Sequence, residues 1–218
     1  MEDSNVIVYD PMQAKHLNDV ERCLSESFLY REPMTSYLKP SADEFLDFLR
    51  PLLQLALEQG LSWVALDRAS HKLVACRIAT DFYADYSPAN LSEKMNIIVT
   101  YLGLLSQPVH DLLVGKSRVL HGQMLGVDAA YTQRGIAAKL VKHVATNAYE
   151  RGFCGVVAEA TSAYTQKIAM RIPGSVIINR LDYESFEWDG VFPFKGLRTP
   201  MNAWSLFYPL GKHIARVL

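Results

Sequence analysis

The clearest periodic pattern in the chain runs from Ile136 to Tyr149. Ile136, Leu140, Val144 and Ala148 form one row of apolar residues spaced by four, and Ala137, Val141, Ala145 and Tyr149 form a second row beside it. Two adjacent rows make one broad buried stripe, so the pattern predicts a helix from about Gly135 to Gly152, with Arg151-Gly152 as a basic last turn and a stop glycine. The apolar runs Val119–Val127 and Gly155–Ala160 on either side read as strands. Earlier in the chain, Ser41-Ala42-Asp43-Glu44 is a capping box heading a second helix, with Phe45, Phe48, Leu49, Leu52, Leu53 and Ala56 on its buried side and Pro51 expected to kink it. A short strand at 6–9 and a helix over 12–27, entered through Asp10-Pro11, precede a break at 31–40. Strands at 62–66 and 72–80 form a hairpin, followed by a helix at 92–105. After Ala160 come a helix at 162–171 and strands at 176–179 and 203–208. The order βααββαβαβαββ predicts an α/β fold: one domain over 1–218, with a mixed central sheet of about seven strands and helices on both faces.

The turn before the first of these helices carries Gln133-Arg134-Gly135. A helix start leaves its first amides open, and a glycine lets a ligand come close to them, which is what a pyrophosphate needs. The chain contains no GxGxxG and no GxxxxGK followed by Ser or Thr, so neither a dinucleotide fold nor a nucleotide triphosphatase is expected. The turn resembles the acetyl-CoA motif of the GNAT superfamily of N-acetyltransferases, in which Gln or Arg, two variable residues and Gly are followed by a variable residue and Gly or Ala. Thr132-Gln133-Arg134-Gly135-Ile136-Ala137 fits except at Thr132, where a side-chain contact is lost while backbone contacts remain. The resemblance implies the GNAT fold and acetyl-CoA as co-substrate. It places the pyrophosphate on the backbone of Gln133, Arg134, Gly135, Ile136, Ala137 and Ala138, with Leu125 and Val127 pairing with the pantetheine arm.

Within that superfamily, Phe28-Leu29-Tyr30-Arg31-Glu32-Pro33-Met34 resembles the F-x-x-x-E-P-L/M signature of the invertebrate-type arylalkylamine N-acetyltransferases. The helical insertion before the fourth strand and Thr161-Ser162-Ala163-Tyr164-Thr165 extend the match, the latter resembling that branch's S-S-x-Y-S segment. The resemblance makes Glu32 the general base. The bland alternative is a solvated carboxylate at a helix end. Tyr164 stands where many members place the proton donor to the leaving thiolate, and it reads equally well as a core tyrosine. Thr161 and Thr165 are further hydroxyl candidates, although hydroxyls near a helix start commonly cap it. Trp188, Phe192, Phe194 and Trp204 are candidates to line an aromatic acceptor pocket. Ile172-Pro173-Gly174-Ser175 departs from the family's usual helix ending and is expected to reshape the acceptor wall. His121 and His143 are read as structural or solvated, and Cys154 is left open as a nucleophile.

Composition narrows the partners. Half of the 218 residues are apolar, 21% are charged, and the net charge is −1 with no basic block, which argues against nucleic acid or an anionic membrane. No apolar run reaches membrane-span length, and the acidic start of the chain is unlike a secretory signal. Three widely spaced cysteines suit reduced thiols, and six histidines without an HExxH or Cys/His cluster give no metal site. The expectation is a cytoplasmic enzyme, monomer or weak dimer, that acetylates a small primary amine, an arylalkylamine first. A polyamine acetyltransferase, a protein acetyltransferase and a non-catalytic acyl-CoA-binding module are the alternatives.

Overall fold

The computed structural model describes residues 6–86, 88–113 and 118–211. Among these residues, seven strands form one sheet: β1 (Ile7–Pro11), β2 (Trp63–Asp67), β3 (Leu73–Asp81), β4 (Val119–Val127), β5 (Gly155–Ala160), β6 (Val176–Asp182) and β7 (Asn202–Pro209). Their order across the sheet is β1-β2-β3-β4-β5-β7-β6, and β4 with β5 is the one parallel pair. The helices are α1 (Leu17–Arg31), α2 (Pro33–Leu38), α3 (Ala42–Gln59), α4 (Glu93–Leu113), α5 (Ile136–Glu150) and α6 (Ala163–Ala169). Residues 1–5, part of the acidic start of the chain, lie outside the described residues.

The helices divide between the two faces of the sheet. Helices α1 to α4 cover one face around Leu24, Phe45, Leu49, Ile78, Tyr101 and Met124, while α5 and α6 cover the other around Leu120, Leu140, Val144, Val156 and Leu206. The first row of α5 is buried as the spacing predicts, but the second row holds only at Val141 and Ala145: Ala137 is half-buried against the cavity and Tyr149 is exposed. The capping box of α3 forms as read, with Ser41 and Glu44 exchanging backbone bonds, and Pro51 is accommodated inside the helix. Among the apolar members of α4, Met95, Ile98, Tyr101, Leu105 and Val109 recur every three to four residues and are buried. The expected helix end at 105 is therefore two turns short: Pro108 sits inside α4, because the apolar face continues beyond it.

Two departures from the sequence reading shape the site. The expected break after 31 is a second short helix: the chain turns at Glu32, and Pro33 opens α2 at a position where its missing N–H costs nothing. The other departure lies between β4 and β5. Their ladder holds only from Val119↔Gly155 to Gly122↔Ala158; beyond it β4 continues with β3 alone, and β5 continues with β7. Opposite this point the β3–β4 register slips, with Ile78 facing Met124 and Ala79 facing Gly122, so Gln123 is an extra residue that bends β4 away. The sheet thus opens into a V whose apex lies at Gly122 and Ala158.

Candidate active site

The V opens into a cavity of about 980 Å³ that passes from one face of the sheet to the other. At one end lie Thr132, Gln133, Gly135, Ile136, Ala137 and Ala138, the turn and first helical turn of α5. Gln133 and Gly135 both have positive φ, 61° and 74°, which turns the backbone sharply into the helix. No side chain caps α5 and no acidic residue occupies its first turn, so the amides there are open to an anion. The guanidinium of Arg134 folds back onto the turn, donating to the Ala130 carbonyl at 3.0 Å and lying 4.7 Å from the Tyr131 ring centre. Leu125 and Val127 line the same passage. The Val127 carbonyl already accepts from the Arg31 guanidinium and, at 3.4 Å, from the Ser27 hydroxyl.

The opposite end is apolar and aromatic. Phe28, Met34, Phe45, Phe48, Tyr86 and Met95 form its wall, drawn from α1, α2, α3, the 82–86 loop and α4. Phe48 stands between Phe45 and Tyr86, at ring separations of 6.4 and 6.3 Å, in tilted and edge-on contacts. Trp188, Phe192, Phe194 and Trp204, the aromatics expected from the sequence, line none of it. Phe194 is buried against Tyr101, Tyr183 and Phe186, and Phe192 is exposed. The segment after α6 also misses the acceptor wall, since Ile172 packs on the α5 face.

Between the two ends sits Glu32. It caps α2: its Oε2 accepts from the Thr35 amide at 2.8 Å and from the Thr35 hydroxyl at 2.7 Å. Its Oε1 is buried and has no partner. A carboxylate oxygen removed from water without a donor is costly, so this atom is poised for a proton or a cation entering the cavity. The helix-end reading of Glu32 is therefore half right, because it caps a helix start but is not solvated.

The remaining candidates spread along the rim. Tyr164, at the head of α6, lines the cavity and is 73% exposed, so it is not a core tyrosine. Thr161 also lines the cavity, and its carbonyl accepts from the Tyr183 hydroxyl at 2.6 Å. The Thr165 hydroxyl is engaged in the cap of α6, donating to the Ser162 carbonyl at 2.9 Å. Cys154 is exposed and outside the cavity wall, while Cys23 and Cys76 are buried free thiols that influence each other's acidity. The neighbouring Cys23, with burial, pushes the Cys76 thiol well up. His143 stacks on Tyr9 and Trp63, away from the cavity.

Three groups in the cavity were not singled out by the sequence reading: Glu159, its partner Ser106, and Arg77. Glu159 Oε2 meets His121 Nε2 at 2.8 Å, and Oε1 accepts from the Ser106 hydroxyl on α4. His121 Nδ1 faces the Gln123 side-chain amide at 2.9 Å, which assigns the ring proton to Nε2. Burial alone would push the Glu159 carboxyl up, but the His121 and Ser106 contacts hold it below the ordinary range. His121 is thus a cavity residue with both nitrogens engaged, rather than a solvated one. Arg77 rises from β3 on the α5 face and lies over Gly122; burial lowers its pKa, with Tyr208 and Glu159 as its electrostatic neighbours. The available signal was a single charge within an apolar strand, GVVAEA for Glu159 and LVACRIAT for Arg77.

No protein-family model matches the sequence, and no curated protein matches it. Solved structures do. The C-terminal condensation domain of Ebony, in complex with beta-alanyl-dopamine, superposes with a TM-score of 0.84 at 21% identity, covering 94% of this chain and 99% of that one. Arylalkylamine N-acetyltransferase 2 from Aedes aegypti follows with a TM-score of 0.79 at 16% identity, over 95% of this chain and 100% of that one. The Drosophila melanogaster polyamine N-acetyltransferase, which forms N-acetylagmatine, gives 0.72 at 21% identity over 93% and 98%. The fold is that of the GNAT N-acetyltransferases.

Proposed function

We propose that this protein transfers an acetyl group from acetyl-CoA to a small primary amine, with an arylalkylamine as the preferred acceptor. The observation that carries the reading is the orphaned Oε1 of Glu32, buried in a cavity that joins an uncapped helix start to an aromatic chamber. The residues suit both substrates. Open amides at Ile136, Ala137 and Ala138, beyond a left-handed Gly135, fit a pyrophosphate. Phe28, Phe45, Phe48 and Tyr86 fit an aryl ring.

An alkylamine is protonated near neutral pH, with a pKa close to the lysine value of about 10.4, and must lose a proton before it can attack. Glu32 takes that proton on Oε1, directly or through one water, while the Thr35 amide and hydroxyl hold Oε2 in place. The freed nitrogen adds to the thioester carbonyl carbon, forming the C–N bond. The C–S bond then breaks, and CoA leaves as the thiol once its sulfur is protonated. Tyr164 at the rim is our candidate for that donor. The bend at Gln123 frees strand amides of β4 from the β5 ladder, where they can donate to the developing oxyanion. Cys154 stands outside the cavity wall, which favours direct transfer over an acyl-enzyme.

A polyamine acceptor is the second reading, favoured by Asp81 and Glu159 in the same cavity. One experiment separates the readings: thiol release from acetyl-CoA with tyramine, tryptamine, agmatine and spermidine, beside Glu32→Ala. Turnover with the aryl amines that collapses in the variant supports the proposal. Turnover with polyamines alone replaces the acceptor, and acetyl-CoA binding without turnover on any amine overturns amine acetylation.

A further inference from the structure

At the apex of the V a row of polar side chains crosses strands that are otherwise mostly apolar. Thr80 of β3 lies opposite His121 of β4, and Glu159 of β5 lies opposite Ser205 of β7. Gln123, the extra residue at the bend, joins the row: its amide donates to the Thr80 hydroxyl at 3.1 Å and meets His121 Nδ1 at 2.9 Å. His121 Nε2 donates to Glu159 Oε2 at 2.8 Å, and the Ser106 hydroxyl donates to the other oxygen of that carboxylate. The ring of Phe82 meets the imidazole edge-on, with centroids 5.5 Å apart. His121, Gln123 and Glu159 all line the main cavity where β4 parts from β5.

A network that only braces the sheet is expected to close on itself, because unmatched buried polar groups are costly. This one stays open at both ends. The Ser205 hydroxyl, fully buried beside Glu159 in the sheet, has no partner among the described residues. At the other end, Gln123 faces the cavity. The row is also adaptable. Glu159, held ionised by its two donors, is a standing counter-charge for an imidazolium. A side-chain amide presents its N–H or, turned over, its oxygen, and the Thr80 hydroxyl can donate or accept. Gln123 therefore matches His121 whether Nδ1 is bare or carries a proton.

On the amine-acetylation reading above, on which this inference rests, nitrogen loses two protons in each transfer. Glu32 takes the first from the ammonium. The second leaves the positively charged nitrogen of the tetrahedral adduct, and Glu32 cannot accept it while still holding the first. We propose that His121 is the catalytic residue that takes this second proton at Nδ1, directly or through one water, with Glu159 and Gln123 positioning its ring. The N–H bond of the adduct breaks and an Nδ1–H bond forms. The pair left on nitrogen becomes that of the neutral amide, as the oxyanion re-forms the carbonyl and the C–S bond breaks. Sulfur receives its proton from the donor at the rim, and His121 and Glu32 return theirs to water as the amide leaves. Gln123 turns over to present its oxygen while Nδ1 is protonated.

The test separates the two protons by the basicity of the acceptor. Phenethylamine arrives protonated. In β,β-difluorophenethylamine the fluorines withdraw charge from nitrogen, so above its lowered pKa the amine arrives neutral and needs no first deprotonation. Its adduct must still lose a proton to go forward, because a weaker base is also a better leaving group. With acetyl-CoA as donor, kcat is measured for both amines in the parent, Glu32→Gln, His121→Gln and Glu159→Gln, beside calorimetric titration of CoA. His121→Gln should lower kcat about a hundredfold or more with both amines, the usual worth of a general base. Glu32→Gln should do so with phenethylamine and lose less than about tenfold with the fluorinated amine. Glu159→Gln keeps an acceptor for His121 Nε2 but removes the counter-charge, and should lose roughly tenfold with both. It carries the test if His121→Gln does not fold.

Unchanged turnover in His121→Gln or, should that variant not fold, in Glu159→Gln overturns the inference. So does a loss confined to phenethylamine, which would put His121 on the first proton. A fall in CoA affinity as large as the fall in kcat also overturns it, and makes the row a brace of the sheet. Each of these outcomes leaves amine acetylation standing. A parent that binds CoA but acetylates neither amine, nor agmatine or spermidine, sinks that reading and this inference together.

Discussion

The two ends of the cavity are built in opposite ways. The α5 end is made of backbone: one contiguous turn, Thr132 to Ala138, with positive φ at Gln133 and Gly135 and a row of open amides. The acceptor end is made of side chains delivered by α1, α2, α3, the 82–86 loop and α4, far apart along the chain. A backbone site depends on conformation and tolerates most side chains. A side-chain chamber depends on each residue that lines it. The α5 end should therefore fail through strained geometry, and the acceptor end through single truncations.

The largest effect should come from the acceptor side of the chemistry. Glu32→Gln keeps the cap of α2 through its remaining carbonyl oxygen but cannot take a proton. It should lower kcat by about two to four orders of magnitude, the usual worth of a general base. Calorimetry should show CoA affinity within about twofold of the parent. If CoA affinity falls as far as kcat, the two ends are not separable. On the α5 side, Gly135→Val forces a β-branched residue to φ 74°. The strain of about 1–3 kcal/mol should raise the KM for acetyl-CoA roughly tenfold or more and leave the KM for the amine near its parent value.

How much was legible follows from the same contrast. The α5 turn and both flanking strands could be read because their information is local, in one apolar stripe, one glycine and two apolar runs. Glu32 was found through the residues beside it. The aromatic chamber was not: Phe45 and Phe48 were assigned to the buried side of α3, and nothing local distinguishes a phenylalanine facing the core from one facing a cavity. Trp188, Phe194 and Trp204 were aromatic and close in sequence, but the fold uses them elsewhere. The helix α2 was missed because Glu32-Pro33 reads as a break, whereas a proline at a first helical position opens a helix. Glu159 and Arg77 depended on the opening of β4 from β5, which follows from a one-residue register slip that no periodicity displays.

Two smaller effects sharpen the picture. Phe48→Ala removes the ring between Phe45 and Tyr86, a loss of about 1–2 kcal/mol of aromatic contact, and should raise the KM for tyramine about tenfold. The KM for an aliphatic amine should change less, and equal changes would mean that the chamber does not select the ring. The smallest effect concerns acid stability. The Glu159 carboxyl lies below its ordinary value in the folded protein, so its contribution is fully present above the unfolded carboxylate range, near 4.3. That contribution is lost as pH falls through the lowered folded value. Denaturant unfolding from pH 6 to pH 3 should show a shallower fall for Glu159→Gln than for the parent, and parallel slopes would remove the linkage.

The glycine at the apex ties two positions together in inheritance. Arg77 Nη2 lies 1.8 Å from where a Cβ on residue 122 would stand, so a side chain there and the arginine in its present pose exclude each other. Descendants of this chain cannot change the two sites in either order with equal ease. Replacing the arginine first leaves room for any small residue at 122, while replacing the glycine first strands a buried cation. A library randomised at both positions and selected for folded protein should return residues other than glycine at 122 only where 77 is no longer arginine. The lineage would then have a one-way route out of its present pairing of residues, with residue 77 as the first step.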